Sequence, residues 1–195
     1  MSKGEQTRQF IIEKAAPIFN IKGVEATAMS DIMQATKLSK GSLYVHFENK
    51  EVLALAAIDY NMDMLGKKVL AKLSTHKTMK GKLFAFIDVF ADVINPPVEG
   101  GCPMINFGME ADDTNPVIKK KVHSRIEYAQ QLLAELLQEG IQKGEFKASL
   151  NYKEFATIMF AMLEGGIIIS RVAGNNTKVN LVSKALKKMI TAQLV

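Results

Sequence analysis

The chain has 195 residues, 48% of them hydrophobic and 23% charged, with 25 Lys and Arg against 20 Asp and Glu. A chain of this length buries roughly two-thirds of its unfolded surface, enough for one or two small domains with a real core. The net charge of +5 is small and scattered, since residues 1–50 hold 7 Lys/Arg and 5 Asp/Glu. Charge alone therefore does not identify a nucleic-acid binder, and it argues against a protein that coats DNA through a strongly basic surface.

The single cysteine, Cys102, cannot form an internal disulfide, and the polar start Ser2-Lys3-Gly4-Glu5-Gln6 lacks the apolar stretch of a signal peptide. A cytoplasmic protein is expected. The most apolar stretch, 155–170, is interrupted by Glu164 and closed by Arg171, short of the ~18 to 20 residues that cross a bilayer. It reads as a buried helix, with no membrane partner expected.

No segment alternates apolar and polar residues as a half-buried strand does, whereas nearly every stretch repeats apolar residues three and four apart. The expectation is an all-α fold of about nine helices. The first, over 5–20, buries Ile11, Ala15, Ile18 and Phe19 and should kink at Pro17, which lacks an N–H. Thr27 is placed to cap a second helix over 28–36, with Asp31 in its first turn at the positive end of the dipole. Ser39 is placed to cap a short third helix over 40–46. Its apolar anchors are Leu43 and Phe47, which leaves Lys40, Gly41, Ser42, Tyr44 and His46 largely outside the core. Asn49 then caps a long fourth helix reaching about residue 73. Two short helices joined by a tight turn, the second with exposed polar residues, describe a helix-turn-helix whose second helix fits the DNA major groove.

The ordered string from Ala15-Ala16-Pro17-Ile18-Phe19 through Gly23 and Thr27, then Ser30-Asp31-Ile32, then Ser39-Lys40-Gly41-Ser42-Leu43-Tyr44-Val45-His46-Phe47-Glu48-Asn49-Lys50-Glu51, closely resembles the N-terminal domain of the tetracycline-repressor (TetR/AcrR) family of bacterial regulators. A looser resemblance, to the effector-domain segment of one branch of that family, lies in Gly101-Cys102-Pro103-Met104-Ile105-Asn106 with Glu110-Ala111-Asp112-Asp113. The resemblance implies a DNA-binding domain over 1–48 and a helical ligand-binding and dimerisation domain over 49–195. It puts Lys40, Gly41 and Ser42 at base edges, Val45 against a thymine methyl, and Thr27, Ser39, Tyr44, His46 and Lys50 on phosphates. The chemistry agrees with this division: ammonium groups donate to guanine or phosphate, glycine admits close backbone approach, and hydroxyl, phenol and imidazole donate to phosphate oxygens.

The remaining chain must supply assembly and control. A helix over 152–173 is apolar nearly all round, and one over 178–194 has a single apolar face. Paired with their copies about a twofold axis, these helices form a four-helix bundle, as the resembled family does. Phe155, Met159, Met162, Gly166, Val182, Leu186 and Met189 are the expected homodimer contacts. An effector pocket is expected from Phe84, Ile87, Phe90, Met104, Phe107 and Tyr128, with Asn106, Glu110 and His123 as its polar groups.

The function expected is a ligand-responsive repressor that leaves a palindromic operator when a small apolar effector binds. The alternative is a thiol-based redox or electrophile sensor acting through Cys102, which precedes Pro103 and so sits at a helix N-terminus. An enzyme is not expected: Cys102 lacks a Gly-rich nucleophile turn, only three His are present, and no metal-ligand cluster or cofactor motif occurs.

Overall fold

The computed structural model describes residues 2–195, and among them the chain forms nine helices and one isolated bridge, Phe146 with Leu194. They are α1 (Lys3–Lys22), α2 (Met29–Thr36), α3 (Lys40–His46), α4 (Lys50–Ser74), α5 (Met79–Phe90), α6 (Pro103–Ala111), α7 (Pro116–Gln142), α8 (Tyr152–Ala173) and α9 (Thr177–Thr191). They make up two compact units. The first combines residues up to Leu65 with Val98–Val122, and the second combines Gly66–Pro97 with His123–Val195.

In the first unit, local chemistry sets each boundary. Ser2 and Glu5 form a reciprocal capping box that starts α1 two residues earlier than its apolar pattern does. The helix continues through Pro17 and stops at Gly23, whose φ of 83° suits glycine. Helix α2 has no side-chain cap: Ala28 is its N-cap, and Asp31 accepts from the Ala28 N–H at 3.1 Å. Lys37 ends it in the left-handed conformation, φ 59°. Ser39 caps α3 by accepting from Ser42 N–H at 3.2 Å, and Asn49 caps α4 by accepting from Val52 N–H at 2.9 Å. Helix α1 packs on α2, α3 and α6, and α2 packs on α3. Ile11, Ala15, Phe19, Ile32, Leu43 and Leu53 are fully buried at the centre of this unit. That burial is the main force holding so short a helix as α3 in place.

In the second unit, α8 packs against α9 and both pack against α5. Leu83, Ile87, Leu133, Leu137, Leu186 and Ile190 have no exposed surface. Glu145 fastens the start of α5 by accepting from Met79 N–H and Lys80 N–H at 2.9 and 3.1 Å. Gly166 brings α8 close to α9, since a Cβ there would lie 3.1 Å from a Val182 methyl. At 22 residues, α8 is longer than the apolar stretch implies and is, by length and composition, apolar enough to cross a membrane. Length is thus no ground for excluding a span. What holds α8 in the folded body is its packing, with Ala156, Met159, Leu163 and Ser170 each at most 3% exposed.

Candidate nucleic-acid interface

Helix α3 is anchored by two residues and displays the rest. Leu43 and Phe47 are 1% and 3% exposed, whereas Ser39, Lys40, Gly41, Ser42, Tyr44 and Val45 are all exposed and His46 is half-buried. The helix is too short to hide both faces, so its outer face is set by where Leu43 and Phe47 point. The Lys40 ammonium lies 5.9 Å from the Tyr44 ring centroid, a loose cation–π approach that leaves it able to reach outward. Val45 is 80% exposed. It leaves an apolar side chain on the outer face of α3.

Two residues expected on phosphates have other partners. Thr27 is 1% exposed, and its hydroxyl donates to the Gly23 carbonyl at 2.5 Å. It therefore neither caps α2 nor reaches the surface; it ties the turn after α1 shut. Lys50 is half-buried, and its ammonium donates to the Val24 and Glu25 carbonyls at 2.9 and 3.3 Å. Its ammonium is thereby held on the same turn.

That turn has further supports which sequence spacing does not reveal. Lys22 pairs with Asp31 at 2.8 Å, and the hydrogen bond from Lys22, together with that from the Ala28 N–H, holds the Asp31 carboxyl below its ordinary range. Asn106 and Glu110, expected to be polar groups of a pocket, instead bind backbone of the first unit. Asn106 donates to the Asn20 carbonyl, and Glu110 accepts from the N–H groups of Val24 and Glu25. The Arg8 guanidinium stacks 4.7 Å from the Phe47 ring centroid, covering the end of α3. The visible signal for Asn106 and Glu110 was their place in the second motif; nothing in the motif says which groups they meet.

The remaining expected positions divide by unit. Met104 and Phe107 are buried in the first unit, at 7% and 0% exposure, and Ile87 and Phe90 in the second, at 0% and 5%. Phe84 is half-buried, with the Lys80 and Lys187 ammoniums 5.5 and 5.4 Å from its ring centroid. Tyr128 is exposed, as is His123, so neither is a residue of an enclosed pocket. Among the expected dimer contacts, Phe155, Met159, Gly166 and Leu186 are buried within their own chain, and Met162, Val182 and Met189 are half-buried. A helix apolar all round does not reveal which side faces inward. The outward apolar residues of the α8–α9 pair are Ile158, Ile168, Ile169, Val172 and Leu181. Cys102 is the buried N-cap of α6, with Pro103 at the first helical position. No group of three or more His, Cys, Asp or Glu that could hold a metal ion occurs among the described residues.

Comparison with known proteins accounts for both halves of the chain. The family model described as bacterial regulatory proteins, tetR family, matches residues 11–57, and that described as tetracyclin repressor-like, C-terminal domain, matches residues 80–186. A TetR-family transcriptional regulator from Cytophaga hutchinsonii has a structure similar to this one, with a TM-score of 0.95 and 37% identity, covering 100% of this chain and 98% of that one. A TetR regulator from Chloroflexus aurantiacus is similar at a TM-score of 0.94, also 37% identical, with coverage of 100% and 98%. The transcriptional repressor ComR of Escherichia coli is 27% identical over 168 residues, 84% of this chain and 79% of the repressor. The two matched segments coincide with the α1–α3 fold that displays Lys40 to Val45 and with the helical body that follows it, and the chain belongs to the TetR family of helix-turn-helix transcriptional regulators.

Proposed function

We propose that the protein is a homodimeric repressor that holds a palindromic operator and releases it when a small apolar effector binds. The observation that carries the reading is the exposed row from Ser39 to Val45 on α3, laid over the buried anchors Leu43 and Phe47. In this reading Lys40, Gly41 and Ser42 meet base edges and Val45 meets a thymine methyl. Ser39, Tyr44 and His46 donate to phosphates.

Dimerisation is supported by the apolar surface of α8 and α9. Ile158, Ile168, Ile169, Val172 and Leu181 are each between 39% and 87% exposed, and such a row on two packed helices gains by burial against its copy. Two copies then present two α3 helices to successive major grooves, the arrangement a palindromic site matches.

The link to an effector is supported by α6. This helix belongs to the segment matched by the C-terminal family model, yet it packs on α1 and bonds to it through Asn106 and Asn20. An effector that shifts α6 therefore acts directly on the DNA-binding unit. Met104, on α6, is a flexible apolar side chain that can repack as the helix shifts. Cys102 adds no support for thiol sensing: at 6% exposure its sulfur is withheld from bulky electrophiles.

The test is to screen apolar compounds by thermal shift and titrate each hit against the protein–operator complex. By linkage, a true effector and the operator weaken each other's binding by the same factor, typically ~1 to 3 kcal/mol. Hits that bind without changing operator affinity contradict effector control.

A further inference from the structure

The dipeptide Val24-Glu25, in the turn between α1 and α2, is gripped on both of its hydrogen-bonding edges. On one edge the Glu110 carboxylate, from α6, accepts from Val24 N–H and from Glu25 N–H, each at 2.9 Å, one oxygen to each. On the other edge the Lys50 ammonium, from the first turn of α4, donates to the Val24 carbonyl at 2.9 Å and the Glu25 carbonyl at 3.3 Å. All four backbone polar groups of these two residues are thus held by side chains of opposite charge, and all four bonds are charge-assisted, the stronger class. Gly23 makes the approach possible, since a Cβ there would lie 2.8 Å from a Glu110 carboxylate oxygen.

We infer that Glu110 and Lys50 are positioning residues for sequence-specific DNA binding, acting as a two-sided clamp on Val24-Glu25 that fixes the pose of the α2–α3 pair on α1. The inference rests on the reading that α3 recognises DNA. The chain has no other covalent route from α1 to α2 than this turn, and α2 carries α3 by direct packing. A small rotation at Val24-Glu25 displaces Lys40 to Val45 from the base edges, where sub-ångström placement decides bidentate contacts, while leaving phosphate attraction nearly intact. Lys50 accordingly differs from a phosphate-binding lysine, because its ammonium is committed to two carbonyls. Glu110 differs from a residue that merely adds negative charge near DNA. Loss of such a charge strengthens binding to every sequence, whereas loss of a clamp weakens binding to the cognate one.

The experiment uses the full-length protein and a duplex that the wild type selects from a random-sequence library, with a scrambled duplex as reference. Binding is followed by fluorescence anisotropy over a range of KCl for the wild type, Glu110→Gln, Lys50→Met and the double variant. The expected result is a loss of about tenfold or more on the selected duplex for each single variant, the size of a charge-assisted hydrogen bond removed. The scrambled duplex should bind within about twofold of wild type with an unchanged salt slope, since no phosphate contact is lost. The double variant should lose little beyond either single one, because both act on one dipeptide. Thermal melts check folding, and Glu110→Asp, which keeps the charge but withdraws it by one methylene, carries the same expectation if Glu110→Gln does not fold. The inference is overturned if Lys50→Met weakens both duplexes alike and lowers the salt slope by about one, the mark of a phosphate contact. It is equally overturned if Glu110→Gln tightens both duplexes or leaves the selected one unchanged. A wild type that enriches no duplex defeats the DNA-recognition reading and this inference with it, whereas variants indistinguishable from a selective wild type defeat the inference alone.

Discussion

Asn106 of α6 and Asn20 of α1 form a hydrogen-bonded pair: the Asn106 amide donates to the Asn20 carbonyl at 2.8 Å and to its side-chain oxygen at 3.2 Å. The Asn20 amide in turn donates to the carbonyls of Glu99 and Gly101, at 2.7 and 3.1 Å. Glycines at 100 and 101, with φ of 90° and 98°, let the loop curl around Asn20. Asn20 is 2% exposed, so its oxygens have little water to turn to.

Replacing Asn106 by Ala should therefore destabilise the protein by about 1 to 3 kcal/mol, the cost of leaving buried acceptors without a donor. Urea denaturation followed by circular dichroism reads this as a lower midpoint. An unchanged midpoint would mean that the pair contributes nothing net to stability.

Substitution of Lys40 should act on sequence recognition and leave folding alone, since its side chain is exposed and α3 is held by Leu43 and Phe47. Lys40→Ala is expected to cost roughly 1 to 3 kcal/mol on the selected duplex and to relax the preference at one base pair, with the thermal melt unchanged. Equal weakening on selected and scrambled DNA would move Lys40 from base to phosphate.

The outward and inward sides of α8 should respond differently. Ile169→Glu combined with Leu181→Glu changes residues 55% and 60% exposed on α8 and α9. It should yield a folded monomer by light scattering, because charges cannot be buried unpaired in the subunit contact. Met159→Ala, at 1% exposure, should instead lower stability by about 2 to 5 kcal/mol through the cavity it leaves. A dimer that survives the double substitution would place the contact on another face.

Much of this was legible in the sequence, and the exceptions have physical reasons. Helix order and the α3 anchors follow from apolar spacing, and the caps Ser39 and Asn49 from local chemistry. Helix α1 starts two residues before its apolar pattern because capping by Ser2 and Glu5 adds a polar turn that apolar periodicity does not register. The family resemblance puts Thr27 and Lys50 on phosphates, and hydroxyls and ammoniums suit that role. In the structure their partners are carbonyls four residues back for Thr27 and 25 and 26 residues back for Lys50, and sequence spacing gives no sign of the longer partnership. Asn106 and Glu110 reach 86 and 85 to 86 residues back to find their partners. Side chains that bind backbone leave no complementary residue in the sequence to betray the contact.

Acid should test a second joint. Asp92, just beyond α5, accepts from the side chain of Asn176 at 2.8 Å and from groups of Asn95 and Ile94, and these bonds, Asn176 foremost, lower its pKa from 3.8 to about 2. A depressed carboxyl stabilises the fold above its unfolded pKa, and the contribution fades as pH falls through the folded value. Between pH 4 and 2, wild type should therefore lose thermal stability more steeply than Asp92→Asn. Parallel melting curves over that range would show that the Asp92 charge is not coupled to folding.

The central claim, sequence recognition by paired α3 helices, is tested most directly by sequencing the duplexes that wild-type protein enriches from a random library. The account predicts inverted half-sites with centres about one helical turn apart, or a multiple of it, and a changed base preference within each half-site when Lys40→Ala repeats the selection. Enrichment of a single unrepeated site, or of no sequence at all, would contradict it.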